Sequence, residues 1–467
     1  MKIEQLYTAC LAEAAYYIES NGEAAIIDPL RETTPYLERL AEENANLKYI
    51  FETHFHADFV SGHIDLARKT GAEIVYGPTA NAQYDITVAE DNQVFKLGNI
   101  TIKVLHTPGH TMESSCFLLY DENGNEHAIF TGDTLFLGDV GRPDLAVKTD
   151  LTQEDLAGFL FDSLHNKILP LPDSVIVYPG HGAGSACGKN LSSETVDSLG
   201  NQKQTNYALQ PMSRNAFIKH VTDGLLPPPQ YFPKNAMMNK AGYESIDTVL
   251  ERGTHAFDVD RFKAEMAKGA IVLDTRKESA FEAAHILGSL FIGVDGNFAM
   301  WVGALITDLN QRIVFLADEG REAEVVTRLA RVGYDHAIGY LKGGIDAWIA
   351  AGEAVDAVMV ETAEEFAKDY KNEKLEIIDV RKVGEFTSQH IIGAHHMPLD
   401  YIYDHLDDLD KEKEYYVHCA GGYRSLIAIS ILQPYGYKNL INVAGGFKAI
   451  EKAGVELTEY VCPTSML

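Results

Sequence analysis

The segment THFHADFVSGH at 53–63 sets His54, His56 and Asp58 at alternate positions, with Phe59 directly after the aspartate. Three more short segments carry similar groups: HTPGHT at 106–111 with His110, TGDT at 131–134 with Asp133, and PGHG at 179–182 with His181. Imidazole nitrogens and carboxylate oxygens are donors to transition metals. A single histidine after a strand is an ordinary polar residue, but four loops that each deliver a histidine or aspartate describe one shared ion. A different chemistry lies near the other end of the chain. HCAGGYRS at 418–425 wraps Cys419 in glycine-containing backbone and follows it with Arg424. Amide N–H groups at the start of a helix, together with a guanidinium, stabilise a thiolate. The loop therefore suits a nucleophile that carries sulfur as a persulfide.

These loops need strands to hold them. Runs rich in β-branched and aromatic residues at 24–27, 49–53, 102–105, 128–131 and 175–178 read as strands, and the metal-type residues follow four of them. Helical stretches at 35–44 and 65–70 lie between strands, so the fold class is α/β. A proline cluster at 226–229 and an Asn/Met-rich piece at 235–239 read as a connector, with a domain boundary near 245–257. Beyond it the chain repeats itself. IVLDTRKESAFEAAHILGSLFIG at 271–293 parallels IIDVRKVGEFTSQHIIGAHHMPL at 377–399, so that Asp274, Arg276, His285 and Gly288 answer Asp379, Arg381, His390 and Gly393. The expected domains are 1–250 (including a C-terminal linker), 258–355 and 358–467. Matching the repeats through Gly333 and Gly436 sets Leu316 opposite Cys419 and Arg321 opposite Arg424. The middle repeat then has no thiol and reads as a packing or docking module.

The whole chain has 467 residues, 68 acidic and 39 basic, for a formal charge of −29. At roughly 100–200 residues per domain this length calls for more than one core. So acidic a surface repels phosphate, which argues against nucleic-acid and anionic-membrane partners. No apolar stretch approaches the ~20 residues of a membrane helix, and the first residues lack the pattern of a signal peptide. Five dispersed cysteines fit a reducing compartment, so a cytoplasmic protein is expected, and with it a homo-oligomer.

H-x-H-x-D followed by P-G-H-T and T-G-D-T resembles the metallo-β-lactamase superfamily over about residues 1–240. The resemblance implies an αββα sandwich with metal at the edges of its sheets. Hydrolytic members, glyoxalase II among them, bind two metals and carry a second histidine where this chain has Phe59. A phenyl ring has no lone pair to give, which favours a mononuclear site. The persulfide dioxygenase branch keeps a single Fe(II) on two histidines and one aspartate. Carried onto this chain, the ligands are His54, His110 and Asp133, with one Fe(II) per chain and Zn(II) a possible occupant as purified. His56, Asp58 and His181 would then orient ligands and handle protons. GDVGRPDL at 138–145 resembles the substrate-holding segment of these dioxygenases, through Arg142 and Asp144. Cys187 becomes a candidate for handling persulfide close to the metal.

The C-x-x-x-x-R spacing from Cys419 to Arg424 resembles a rhodanese domain, with these two residues catalytic, and makes the middle repeat an inactive rhodanese. The full order, an αββα metallo-β-lactamase sandwich followed by two α/β rhodanese domains, resembles persulfide dioxygenase–sulfurtransferase fusions. That resemblance implies oxidation of a low-molecular-weight persulfide by O2 to sulfite, with Cys419 exchanging sulfane sulfur with sulfite or thiosulfate. The alternative is a binuclear-zinc thioester hydrolase of glyoxalase II type fused to a sulfur-carrier rhodanese.

Overall fold

The computed structural model describes residues 1–145, 151–189, 191–225 and 227–462, so Leu226 of the proline cluster lies outside the described residues. The chain forms two compact units, Met1–Thr248 with Thr327–Asp335, and Val249–Val326 with His336–Leu467. Among the described residues no helix is long and apolar enough to cross a membrane.

The first unit holds two six-stranded sheets. One runs in chain order from Lys2–Thr8 through Glu13–Ser20, Glu23–Ile27, Asn46–Glu52 and Glu73–Tyr76 to Thr87–Val88. The other is ordered Asp197–Ser198, Ile176–Pro179, Glu126–Gly132, Ser115–Tyr120, Ile100–His106 and Val94–Leu97. Successive side chains of a strand point to opposite faces, and Glu13–Ser20 uses both. Tyr16 and Ile18 meet Phe117 and Phe130 of the other sheet, while Ala15 and Tyr17 join Tyr36, Leu40 and Leu66 from the helices Thr34–Glu42 and His63–Thr70. On the far side, Leu118 and Ile129 pack with Ala157 and Leu160 of helix Gln153–Ser163. Each fully buried Phe or Leu contributes about 1.5–3 kcal/mol, and the layering is αββα.

The piece at 235–239, expected to be part of a connector, lies inside a helix, Phe232–Ala241. It contains no breaker after Pro233, which occupies the first turn where no backbone N–H is required. Gly242 ends it at a φ of +92°.

The second unit carries two five-stranded parallel sheets with the same strand order. The first is Ala256–Phe257, Ala337–Leu341, Ile313–Leu316, Ile271–Asp274 and Leu290–Phe291; the second is Met359–Glu361, Asn439–Val443, Glu414–His418, Ile377–Asp379 and His395–His396. The repeated residues do the same work in each. Asp274 pairs with Arg276 at 2.6 Å and Asp379 with Arg381 at 2.6 Å. His285 stacks on Phe281 and His390 on Phe386, each donating from Nδ1 to that residue's carbonyl. These matched groups are structural.

Strand register corrects one alignment. Asp274 lies opposite Leu316, and Asp379 lies opposite His418. Leu316 therefore corresponds to His418, and Ala317, not Leu316, stands where Cys419 does. Gly320 and Gly422 then coincide, both at positive φ, +85° and +112°, and Arg321 falls opposite Tyr423 instead of Arg424. The match through Gly333 erred by one residue because the two repeats differ in length after the nucleophile loop.

Candidate metal centre and sulfur-transfer site

Strand Asn46–Glu52 ends in a loop pinned by Asp28, whose carboxylate accepts from Thr53 N at 2.7 Å and Thr53 Oγ1 at 2.8 Å. The next residue, His54, is thereby aimed at Asp133, which follows strand Glu126–Gly132. Asp133 Oδ2 is 3.4 Å from His110 Nε2 and 3.9 Å from His54 Nε2. His110 donates from Nδ1 to the Arg142 carbonyl at 2.9 Å, which leaves Nε2 for the centre. Gly132 permits the approach: its φ is +47°, and a Cβ there would lie 2.5 Å from Thr53 Oγ1.

His54, His110 and Asp133 are buried, with one ligand atom of each within 4.8 Å of the others. Neither carboxylate oxygen of Asp133 has a hydrogen-bond partner in the protein. A buried carboxylate left unsatisfied is expensive, and a cation among these donors removes the penalty. Burial, reinforced by His56, His110 and His181, holds the His54 pKa well below the usual histidine value. Its imidazole is neutral and keeps the lone pair that a metal needs. The three donors fit a metal ion and leave further positions open.

The remaining motif residues fall on two sides of this set. His181 Nε2 is 3.3 Å from Asp58 Oδ2 and 3.6 Å from Asp133 Oδ1, and Nδ1 donates to the Ala12 carbonyl. Cys187 joins Asp58 and His181 in a second buried group. Burial, together with Asp58 and Asp133, pushes its thiol well up, so Cys187 is a neutral thiol there. His56 faces Asp28 at 3.1 Å and Glu52 at 3.6 Å. Burial opposes its charge, but Asp28, Glu52 and Asp58 outweigh that and lift its pKa to about 9. Phe59 packs against the same imidazole, ring centroids 4.3 Å apart and planes tilted by 33°. Arg142 is clamped by Asp144 in a bidentate pair, both contacts 2.7 Å, and its backbone N–H donates to the Cys187 carbonyl. Through its backbone carbonyl and N–H, Arg142 ties the His110 loop to the Cys187 loop.

The second chemistry is built in the other unit. Cys419 follows strand Glu414–His418 and precedes helix Tyr423–Leu432; its Sγ accepts from Gly422 N at 3.0 Å and lies 3.7 Å from Ser425 Oγ. A positive φ at Gly422 turns that amide inward. Arg424 is held in a fork by Glu385, at 2.6 and 2.9 Å. A cavity of about 390 Å³ opens on Cys419 and Arg424, with Lys382 at its side. Asn297, Met300 and Trp301, at the start of and within helix Phe298–Leu305 of the middle repeat, supply another wall.

The model of the metallo-beta-lactamase superfamily matches residues 9–181, and that of the rhodanese-like domain matches 258–351 and 362–453. A probable hydroxyacylglutathione hydrolase of Schizosaccharomyces pombe is 33% identical over 189 residues, 39% of this chain and 69% of that one. The mitochondrial persulfide dioxygenase ETHE1 of Homo sapiens is 32% identical over 212 residues, 44% of this chain and 74% of that one. A metallo-beta-lactamase crystal structure from Staphylococcus aureus subsp. aureus COL superposes with a TM-score of 0.64 at 32% identity, covering 73% of this chain and 98% of the other. The chain belongs to the metallo-beta-lactamase superfamily. It joins a domain of that superfamily to two rhodanese-like domains.

Within the metallo-beta-lactamase domain, one residue near the centre was missed by sequence reasoning. Asn239, in helix Phe232–Ala241, donates to the carbonyls of His56 at 2.8 Å and Phe59 at 2.7 Å and accepts from Ser61 N at 2.9 Å. It fixes the backbone of the H-x-H-x-D loop. Its signal was the run from Lys234 to Ala241, which contains neither Gly nor Pro and so permits a helix despite its two asparagines. In the rhodanese-like pair the missed residues include Lys382 and Glu385, as well as Met300 and Trp301, whose apolar run gives no hint that it faces a cavity.

Proposed function

We propose that the metallo-beta-lactamase domain is a persulfide dioxygenase using one Fe(II) held by His54, His110 and Asp133, and that the last rhodanese-like domain transfers sulfane sulfur through Cys419. The overall reaction is R–S–SH + O2 + H2O → R–SH + sulfite + 2 H⁺. The iron would supply redox activity and open positions for sulfur and O2, which zinc cannot match in redox terms. The chain's own residues set the frame: His110 is oriented by the Arg142 carbonyl, His54 is kept neutral, and His56, between Asp28 and Glu52, can hold or release a proton beside the ligands. At Cys419 a persulfide would give its outer sulfur to sulfite, forming thiosulfate and returning the thiolate, or run in reverse. Lys382 and Arg424 offer the positive charge that either anion requires.

The observation that carries the reading is Phe59. It removes a ligand that the two-metal hydrolytic members use, and it is spent on packing against His56. Fusion to a sulfur-handling Cys419 loop supports the same substrate class. Thioester hydrolysis is the second reading, favoured by the likeness to hydroxyacylglutathione hydrolases and by the retained Asp58 and His181 pair. Oxygen uptake by iron-loaded protein with a persulfide separates the two.

A further inference from the structure

Val60 follows Asp58 by two residues in the H-x-H-x-D segment and is fully buried. A buried backbone N–H must find an acceptor, and that of Val60 finds the Arg331 carbonyl at 2.7 Å. Arg331 lies within the stretch matched by the rhodanese-like model at 258–351, yet Thr327–Asp335 packs in the first unit. Two side-chain contacts fasten this stretch there. The Arg331 guanidinium forks onto the Glu32 carboxylate, and Asp335 Oδ2 accepts from Arg31 Nη2 at 3.1 Å. Arg31 is wholly buried and lies 3.7 Å over the Tyr243 ring, whose hydroxyl donates to the Ser61 carbonyl. Just before Arg31, the Pro29 carbonyl accepts from Ser61 Oγ at 2.8 Å and Gly62 N at 2.9 Å. The metal loop is thus held on residues 29–32, and those in turn on Arg331 and Asp335.

The last repeat shows which of these residues the rhodanese fold itself needs. Gly333 and Tyr334 recur as Gly436 and Tyr437, whereas Arg331 and Asp335 give way to Pro434 and Lys438. A proline could not pair with Glu32, and a lysine would repel Arg31. We infer that the middle rhodanese-like domain serves the metal centre, with Arg331 and Asp335 as positioning residues for the loop that bears His54, His56 and Asp58. Residues 1–250 alone lack the acceptor for Val60 N–H and the carboxylate for Arg31. The inference rests on His54, His110 and Asp133 holding an ion, and not on the reaction at that ion.

Chelator competition for Co²⁺, together with hydrogen exchange of the metal-free full-length protein, tests it. Arg331→Gln breaks the fork to Glu32. Its Co²⁺ affinity should fall about 10-fold, as expected of a group that orients metal ligands, and exchange in a peptide covering 54–63 should speed up. Glu32→Gln should do the same, and the double variant should be no worse than either single one, because both break one link. Arg331→Lys keeps the charge and should recover most of the affinity. Arg312→Gln, which breaks an ion pair with Glu265 in the same repeat, should change neither readout. Unchanged Co²⁺ affinity in both Arg331→Gln and Glu32→Gln, whatever their effect on unfolding, or an equal loss in Arg312→Gln, would overturn the inference. If the unmodified protein bound no Co²⁺, the metal centre itself would fall, while exchange over 54–63 would still decide whether Arg331 holds the loop.

Discussion

Phe59 packs against the imidazole of His56, ring centroids 4.3 Å apart, at the position directly after the aspartate of the H-x-H-x-D motif. The ring is fully buried, and its backbone carbonyl is held by Asn239. Truncation to alanine leaves a cavity beside the centre, and Phe59→Ala should lower stability by about 3–5 kcal/mol. Urea unfolding of the metal-free protein measures this; a loss below about 1 kcal/mol would mean that the ring is not a packing element.

Each of His54, His110 and Asp133 contributes one of three donors to the proposed iron site. Replacing any of them with alanine should abolish iron retention and persulfide-dependent oxygen uptake together. Iron content after gel filtration and oxygen-electrode traces check both, and full activity in any one variant would show that the donor set is misassigned.

Asn239→Ala removes two donors from the loop that carries His56 and Phe59 without touching a proposed ligand. Groups that orient metal ligands typically account for 10–100-fold in affinity or activity. Iron affinity should fall by about that factor, and Asn239→Asp, which still accepts from Ser61 N but has no N–H to give the His56 and Phe59 carbonyls, should not recover it. Competition with a chelator provides the measurement.

Cys419 and the metal centre lie in separate units of the chain, so their chemistries should separate. Cys419→Ser should abolish sulfur transfer between thiosulfate and a thiol acceptor and leave sulfite formation from a small persulfide largely intact. Collapse of oxygen uptake with normal iron content would instead make Cys419 an obligatory donor to the iron.

The register correction gives a test of the middle domain. Ala317 occupies the nucleophile position, and Asp318 and Glu319 stand where the active repeat has Ala420 and Gly421. Two carboxylates oppose thiolate formation. Ala317→Cys in a Cys419→Ser background, treated with thiosulfate, should therefore show no persulfide on residue 317 by mass spectrometry; stoichiometric modification would show the loop to be competent.

The sequence made several strands and the motif residues legible for a physical reason. Central strands of the first domain are buried on both faces, so Ala24 to Ile27 or Ala128 to Phe130 appear as unbroken apolar runs, and the second of these leads into the loop bearing Asp133. The tandem repeat was equally plain, because Asp379, Arg381 and His390 serve a local ion pair and ring stack that both copies need. Other features escaped because they depend on three-dimensional convergence. Asn239 reaches the metal loop from a helix far along the chain, and Trp301 lines the Cys419 cavity from a different repeat. The one-residue slip at Leu316 arose because an extra residue lies between the loop and the glycine landmark used to match the repeats, whereas the pairing of Leu316 with Asp274 does not depend on that stretch.

The most direct test of the account is stoichiometric loading of metal-free protein with Fe(II) under anaerobic conditions, followed by simultaneous measurement of O2 consumed and sulfite formed on addition of a low-molecular-weight persulfide. The account predicts activity saturating at one iron per chain, with one O2 consumed per sulfite and none without persulfide. Thioester hydrolysis supported by two zinc ions, with no persulfide-dependent oxygen uptake by the iron-loaded protein, would contradict it.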